Sequence, residues 1–412
     1  MTNVEQKSGA PAARREPAAT RRGRKISQKL SYMSRWLPSY LWQRATRRRP
    51  TGPTHLIFAL ADHFEPAIVP ENGAARAPYD EQERRMERWC REYPIRFGDY
   101  RDAEGRPFVH TYYYPAEQYD PAHISRLAEH CRSGWGEIEV HLHHGVGAPD
   151  SAENTRRQLV QFRDLLAQRH GCLCYRQGSS EPLYSFVHGN FALANSNRGL
   201  ACGVDSEMQI LAETGCYADL TLPTGAFHRA QTSKINSLYE CALPLTERAP
   251  HRKGRDLERG ITPRIWPLMV QGPLMMDFNT HSRRLQIENG ALTGRNPASL
   301  RRLRLWKQAN ISVRGVPDWL FIKLHCHSMD SRHEDATLGA SMQAFLRDLI
   351  TGAGERDEVL HFVSAREMVN ILLAACDGRE GNPGDYRDYR LRRAVDISPE
   401  PQAQSSAAVL KG

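Results

Sequence analysis

The alternation of short β-rich segments with longer helical patterns is the feature that most limits the fold of this chain. Helical periodicity marks the stretches 80–92, 121–132, 155–168 and 207–214, which lie between strand-like runs. Strands and helices in alternation build parallel β-α units with right-handed crossovers, which predicts an α/β barrel or a doubly wound sheet. The seven predicted strands are 55–61, 107–113, 137–143, 184–188, 217–222, 267–271 and 319–325.

The basic charge of the chain is confined to an N-terminal arm. Residues 1–50 hold 13 Lys and Arg but only the acids Glu5 and Glu16, a charge of +11, whereas the whole chain of 412 residues carries +9. The remainder is therefore weakly acidic, at −2. This distribution argues against nucleic acid as a partner of the folded part.

The arm itself divides into two segments. Residues 1–25, rich in Ala, Pro, Arg and Gly, are predicted to be disordered, and Pro38 argues against one continuous helix further on. Over 26–49, aromatic and aliphatic residues mix with basic ones, which is typical of a segment that lies on an anionic membrane surface. The alternative is an arm that packs on the body through Trp36 and Trp42. The sequence thus predicts a largely disordered arm over 1–50, a body over 51–398 and a flexible tail over 399–412.

Hydropathy and cysteine usage predict the compartment. No run approaches the roughly 18 apolar residues that span a bilayer. The nine cysteines form no C-x-x-C pair, which indicates free thiols in a reducing environment. No apolar signal segment is recognised either. We therefore expect a cytoplasmic protein, peripheral to the inner membrane if the arm binds lipid.

Polar residues stand at the carboxyl ends of the predicted strands, where parallel α/β folds place their active sites. The third strand alternates so that Glu139, His141 and His143 share one face, and His144 follows in the loop. Two imidazoles on one face of a rigid strand reach a common point, as a metal requires. Further candidates for binding or catalysis at strand ends are His188, Asn190, Asp219, His325 and His327.

Four short motifs occur in order along these strands. They are Asp62-His63 after the first strand, HTYYY over 110–114, EVHLHH over 139–144 and Leu324-His325 in the last strand. In order and placement they resemble the motifs of the polysaccharide deacetylase (chitooligosaccharide deacetylase-like) families over roughly residues 52–375. The segments HGNFAL and QTSKINS also resemble those of deacetylase-like proteins from bacterial surface-polysaccharide clusters. The resemblance implies a distorted seven-stranded (β/α) barrel over the body.

The resemblance also implies the metal ligands. In those families the first motif supplies a base and a ligand, which correspond to Asp62 and His63 here. The second motif supplies two histidines, usually four residues apart. His141 matches the first of them, but position 145 is Gly, so the partner is His143 or His144.

The last motif of the family supplies a general acid, matched here by His325. The arginine motif has no clear counterpart, and His188-Gly-Asn190 stands roughly where it belongs. The remaining strand-end residues, His327 and Asp219, are assigned with His188 and Asn190 to substrate binding.

These residues support a definite chemistry. A divalent cation, zinc in the first place because imidazole suits it, lowers the pKa of a bound water from about 15.7 to about 7 and polarises a carbonyl. The predicted function is a metal-dependent hydrolase that deacetylates an N- or O-acetylated carbohydrate in bacterial exopolysaccharide metabolism. A metal hydrolase of the amidohydrolase type is less favoured because it carries His-x-His on its first strand. Two alternatives stay open: a glycoside hydrolase using Asp62 and Asp219 as its two carboxylates, and a non-catalytic glycan-binding or scaffold protein of polysaccharide assembly.

Overall fold

The computed structural model describes residues 18–70, 72, 75–279 and 284–394 of the chain. The helices in this part are α1 (Ala18–Thr46), α2 (Tyr79–Phe97), α3 (Pro121–His130), α4 (Ala152–Asp164), α5 (Glu207–Glu213), α6 (Leu300–Ala309), α7 (Glu334–Thr337), α8 (Ala340–Thr351) and α9 (Ala365–Cys376). The strands are β1 (Thr54–His63), β2 (His110–Pro115), β3 (Gly136–Leu142), β4 (Cys174–Arg176), β5 (Tyr184–His188), β6 (Cys216–Asp219), β7 (Leu238–Glu240), β8 (Arg255–Asp256), β9 (Leu268–Val270), β10 (Met275–Asn279), β11 (Arg284–Glu288), β12 (Trp319–Cys326), β13 (Glu358–Phe362) and β14 (Leu391–Arg393).

A mostly parallel sheet of ten strands forms the centre of the described structure. Seven strands run parallel in the order β12-β1-β2-β3-β5-β6-β9. These are the seven strands predicted from the sequence, so the parallel α/β class is confirmed. The antiparallel strands β7 and β8 extend the sheet beyond β9, and β13 pairs with the first half of β1. These strands and the two-stranded ribbons β10-β11 and β4-β14 are five residues or shorter and were not predicted.

The two ends of the parallel run, β12 and β9, are not paired with each other among the described residues. The free edge of β12 is instead met by an irregular segment: the amide of His325 donates to Gly290 O at 3.0 Å, and the amide of Leu292 donates to His325 O at 2.8 Å. The class of the fold is therefore established as a mixed α/β sheet, and closure into a seven-stranded barrel stays a prediction.

The alternation of side chains along β1 divides the core in two. Leu56, Phe58 and Leu60 belong to the core that contains buried residues of α2, α3, α4 and α8. Ile57, Ala59 and the other odd-numbered apolar residues belong to the core built with α9. Helix α9 is almost entirely buried, and its apolar residues pack on the same side of the sheet as Ile57 and Ala59. We call the side of the sheet that faces α9 the inner face.

The N-terminal arm is ordered over much of its length, which corrects the prediction of a largely disordered segment. Helix α1 runs through Pro38 without a break. Trp36 is fully buried and donates from Nε1 to Ala226 O at 3.0 Å, and Tyr40 is 6% exposed. Burial of these two rings outweighs the local cost of a proline inside a helix. Residues 1–17 and the predicted flexible tail, 399–412, lie outside the described residues.

Two predictions about the chain as a whole can be compared with the described part. All nine cysteines lie in it and carry free thiols, as expected. Among its helices, none is both long and apolar enough to cross a membrane.

Candidate metal centre and active site

Three histidines from separate parallel strands meet at the carboxyl end of the inner face. His63 is the last residue of β1, His141 lies near the end of β3, and His325 lies near the end of β12. The His63 ring centroid is 4.8 Å from that of His141 and 6.3 Å from that of His325. Strands far apart in sequence therefore bring these side chains together, because parallel strands end at one edge of the sheet.

A buried group that could hold a metal ion is formed by His63, Glu65 and His141, which we call the first group. Their ligand atoms all lie within 4.8 Å of one another. His141 Nε2 is 3.3 Å from Glu65 Oε1, and His143 Nε2 is 3.6 Å from the same oxygen. His143 therefore lies next to this group, where the resemblance requires a second histidine.

Hydrogen bonds on the far side of two imidazoles determine where their protons are. His141 Nδ1 donates to Val187 O at 2.6 Å, and His143 Nδ1 donates to Glu117 Oε1 at 2.7 Å. Since both oxygens can only accept, a neutral imidazole presents an unprotonated Nε2 towards Glu65. Two lone pairs that face a carboxylate repel it unless a proton or a cation lies between them. An outer oxygen on each Nδ1 is also the usual support of a metal-bound histidine.

The electrostatics of the first group favour ligands in their metal-binding protonation states. Burial by itself raises the pKa of Glu65, but the hydrogen bond with His141 and the nearby His327 and His143 lower that pKa to about 2. Burial, with the neighbouring histidines, lowers the pKa of His63 well below its ordinary value. An ionised carboxylate beside a neutral imidazole is the state in which both bind a divalent cation.

Two further histidines and an aromatic ring flank the first group. The His327 ring stacks on His63 with a centroid distance of 4.4 Å. Phe191 lies 5.4 Å from the His63 ring and 5.8 Å from the His325 ring. Burial lowers the pKa of His325 well below its ordinary value, and Lys323 lowers it further. His325 is therefore a neutral imidazole that can accept a proton.

Asp62, predicted to be the base beside the metal, lies outside the first group and belongs to a separate buried group that could also hold a metal ion, with His110 and Cys326. Its Oδ2 accepts from His110 Nδ1 at 3.0 Å, and its Oδ1 accepts from the amide of Ser328 at 3.0 Å. The reason is the period of two along β1, which directs Asp62 away from the inner face on which His63 lies. The carboxylate next to His63 and His141 is Glu65.

A second buried group that could hold a metal ion consists of His144, His188, Cys202 and Glu207. His144 Nε2 is 3.0 Å from His188 Nε2 and 2.9 Å from Glu207 Oε1. His188 Nε2 is 3.3 Å from the same Glu207 oxygen. His144 follows β3, His188 ends β5, and Glu207 begins α5, so the group joins the ends of three elements.

The outer hydrogen bonds of the second group resemble those of the first. His144 Nδ1 is 3.0 Å from Asp150 Oδ2 and 3.1 Å from Thr155 Oγ1. His188 Nδ1 donates to the carbonyl of Gly189. Burial lowers the pKa of His188 to about 4, whereas for His144 the hydrogen bonds with Cys202 and Glu207 outweigh burial and raise the pKa to about 11.

This arrangement bears on two predictions made from the sequence: the choice between His143 and His144, and the role of His188. His144 does not join His63 and His141, because beyond the end of β3 it turns towards His188 while His143 turns towards Glu65. His188 was assigned to substrate binding, but both of its ring nitrogens are engaged inside the protein.

Two other predicted substrate-binding residues lie outside both groups. Asn190 is exposed and has a left-handed φ of 54°. Asp219 is buried, and its carboxylate accepts from the hydroxyl of Thr221 at 2.7 Å and from the amide of the same residue at 3.1 Å. Burial raises the pKa of Asp219 to about 7 despite these hydrogen bonds.

The sequence reasoning missed four residues of these sites: Glu65, Phe191, Cys202 and Glu207. Glu65 could have been found, because it continues the period of two through Ala61 and His63. Phe191 stands inside the HGNFAL motif, but its role depends on the loop conformation. Cys202 and Glu207 carry no spacing that would connect them with histidines more than ten residues away.

The first group can do chemistry that the second cannot. It lies at the carboxyl edge of the sheet with neutral imidazoles beside it, which suits proton transfer to and from a bound substrate. The second group offers four protein ligands to a single point and leaves no position for a substrate. Comparison with protein-family models, curated proteins and solved structures finds no significant match to this chain.

Proposed function

We propose that the protein is a metal-dependent hydrolase that removes acetyl groups from an N- or O-acetylated carbohydrate in bacterial surface-polysaccharide metabolism. The observation that carries the proposal is the convergence of the Nε2 atoms of His141 and His143 on the carboxylate of Glu65, beside His63. This convergence occurs at the sheet edge where parallel α/β enzymes hold their active sites.

The donor set of the first group fits zinc best. Imidazoles with one carboxylate are a common ligand set of catalytic zinc sites that keep a position for water. Manganese, iron, cobalt or nickel could occupy the same ligands. When bound, such a cation activates a water molecule and polarises the carbonyl of the acetyl group.

Residues of the chain itself would transfer the proton from the water to the leaving group. The His325 ring lies 6.3 Å from the His63 ring, and the neutral form, which burial favours, can take the proton released as the water oxygen bonds to the carbonyl carbon. The same imidazole can then protonate the nitrogen or oxygen of the sugar as the bond to the acetyl carbon breaks. His325 is thus proposed as the proton shuttle in place of Asp62, which is engaged with His110 and the amide of Ser328.

A distorted barrel is proposed as the setting of this site. Lys323 on β12 supports it, because its Nζ donates to Leu220 O at 2.6 Å and to Leu222 O at 2.8 Å, immediately beyond β6. A side chain that joins the first strand of the parallel order to the end of the sixth favours a sheet that curves back towards itself.

The alternatives have weaker support. A glycoside hydrolase needs two carboxylates across its scissile bond. Asp62 and Asp219, which would have to serve, are both fully buried and hydrogen-bonded within the protein. A non-catalytic glycan-binding protein would have no use for a metal with proton-accepting histidines around it.

The N-terminal arm is proposed to hold the protein at an anionic membrane surface. Helix α1 keeps three large apolar side chains in solvent: Leu30, Leu41 and Trp42 are 55%, 58% and 70% exposed. They accompany the basic residues of the arm, and apolar insertion adds to electrostatic attraction at an anionic leaflet.

The test combines metal content with acetate release. Full-length protein purified without chelator should contain a divalent metal and release acetate from at least one member of a panel of N- and O-acetylated oligosaccharides. His141→Ala should lose the metal of the first group and at least about 100-fold in rate, since metal activation and proton transfer both fail.

His228→Ala is the matched control. His228 is partly buried, its ring accepts from the amide of Ala230 at 3.2 Å, and it belongs to neither group. It should keep both metal and activity. Undiminished acetate release by His141→Ala would reject the proposal, and so would a metal-loaded protein that is inactive on the whole panel.

A further inference from the structure

We propose that His144, His188, Cys202 and Glu207 form a second metal site, a closed four-ligand site for zinc or a similar cation with a structural role. All four side chains are buried. The site is separate from the first group in its residues and its chemistry, because it includes a sulfur ligand. The inference does not depend on the proposed hydrolase activity.

The ligand atoms lie within 4.8 Å of one another, and the nitrogen and oxygen atoms are nearly as far apart as the ligands of a tetrahedral cation. With bonds of about 2.0–2.1 Å to nitrogen and oxygen and about 2.3 Å to sulfur, tetrahedral ligands lie about 3.3 Å apart, or about 3.6 Å where one of them is sulfur. The distances between the His144, His188 and Glu207 atoms are 3.0, 2.9 and 3.3 Å. Cys202 Sγ is 3.6 Å from the other oxygen of Glu207.

The positions of the imidazole protons point to the same conclusion. His188 Nδ1 must carry its proton, because it faces the carbonyl of Gly189. His144 Nδ1 must carry one too, because it faces the Asp150 carboxylate, to which Thr155 also donates. When both rings are neutral, their Nε2 lone pairs then point at each other and at Glu207. A single shared proton would relieve one of these contacts, whereas a cation would relieve all of them.

The sulfur of Cys202 has both donors and acceptors around it. Its Sγ accepts from the amide of Asn195 at 3.3 Å and from the amide of Val204 at 3.5 Å. A protonated thiol would donate to Glu207 Oε2 at 3.6 Å, and burial together with Glu207 raises the pKa of the thiol in the absence of a cation. Since burial disfavours an isolated thiolate, a directly bound cation is the most effective source of compensating charge.

A structural role follows from the chain segment that the site closes. Six residues between β5 and α5 have left-handed φ although none is glycine: Asn190, Phe191, Ala194, Asn195, Arg198 and Ala201. Such conformations persist only where the surroundings hold them. The four ligands anchor both ends of this segment, and Glu207 also accepts from the amide of Ala194 at 2.6 Å. The segment carries Phe191, so the second site holds in place the ring that packs on the first group.

Cobalt substitution of the full-length protein tests the proposal, because the first group contains no sulfur. Cys326, which forms a further buried group with Asp62 and His110, is distinguished from Cys202 by substitution. Protein loaded with Co²⁺ alone should show a thiolate-to-cobalt charge-transfer band in the near ultraviolet. Cys202→Ser should abolish that band. Cys241→Ser, which removes a buried thiol outside both groups, should keep it. No band in the wild-type protein, or a band that survives in Cys202→Ser, would overturn the inference.

A second measurement needs no variant and covers the case in which Cys202→Ser does not fold. X-ray absorption of the zinc-loaded wild-type protein should contain a sulfur scatterer at about 2.3 Å. A first coordination shell that contains only nitrogen and oxygen would overturn the inference. It would mean that a proton on His144, and not a metal ion, bridges these side chains. His141→Ala should leave both sulfur signals unchanged, so failure of the hydrolase proposal and failure of this one are distinguishable.

Discussion

Asp62 and Glu65 are buried carboxylates three positions apart, and the structure gives them different partners. Asp62 accepts hydrogen bonds from a buried imidazole and a backbone amide, whereas Glu65 Oε1 lies 3.3 Å and 3.6 Å from the Nε2 atoms of two histidines. The first arrangement is satisfied without any ligand. The second is satisfied only when a positive charge lies between the groups, which is why Glu65 and not Asp62 is the expected metal ligand.

The isosteric amides separate these roles. Asp62→Asn should lower the free energy of unfolding by about 1–3 kcal/mol, because it weakens hydrogen bonds to a buried charge, and should leave the metal content unchanged. Glu65→Gln should lose the metal of the first group at a smaller cost in stability. Denaturant titration and elemental analysis of both variants decide the matter. Loss of metal in Asp62→Asn with full metal in Glu65→Gln would restore the role that the sequence suggested for Asp62.

At the scale of elements, α1 shows how tertiary contact overrides local propensity. Pro38 interrupts the hydrogen-bond ladder of the helix, but Trp36 and Tyr40 lie one turn apart on the same side and are both buried. Arg47, just beyond the helix, donates to Asn310 O at 2.8 Å and adds a second anchor. The helix is thus attached to the body on one side, while its other side keeps Trp42 in solvent.

Two tryptophans of α1 provide a matched pair for the next prediction. Trp36→Ala should cost about 3–5 kcal/mol of unfolding free energy, since a fully buried indole and its hydrogen bond are lost. Trp42→Ala should change stability by less than about 0.5 kcal/mol, because the side chain is 70% exposed. Urea titration measures both changes in stability. Co-sedimentation with anionic vesicles measures membrane binding, which Trp42→Ala should weaken. Equal vesicle binding by wild type and Trp42→Ala would argue against the membrane proposal.

At the scale of the whole molecule, the inner side of the sheet buries two side chains, Lys323 and Asp219, whose charge changes with pH. Burial lowers the pKa of Lys323 to about 7 and raises the pKa of Asp219 to about 7. Asp219 belongs to β6, and Lys323 on β12 reaches the carbonyls just beyond that strand. Protonation in this region therefore affects contacts between strands that are more than 100 residues apart in sequence.

The stability of the wild-type protein relative to Asp219→Asn should consequently fall as pH rises. Between the ordinary value of 3.8 and about 7, folded Asp219 keeps a proton that the unfolded chain releases. The relative stability is therefore greatest below pH 4, falls by up to about 1.4 kcal/mol per pH unit, and levels off above pH 7. Unfolding free energies of both proteins from pH 4 to pH 8 provide the check. Parallel pH profiles would show that Asp219 ionises normally in the fold.

The sequence by itself determined the seven parallel strands, their inner and outer faces, and the presence of His63, His141 and His325 at one edge. These features depend on the period of two along each strand and on the rules that join parallel strands, which are local and general. Only the tertiary structure decided that His143 and His144 turn towards different groups, that Cys202 and Glu207 join His144 and His188, and that α1 packs on the body. Beyond a strand end, the direction of a side chain depends on the loop conformation and on partners tens of residues away. Local periodicity in the sequence predicts neither of these.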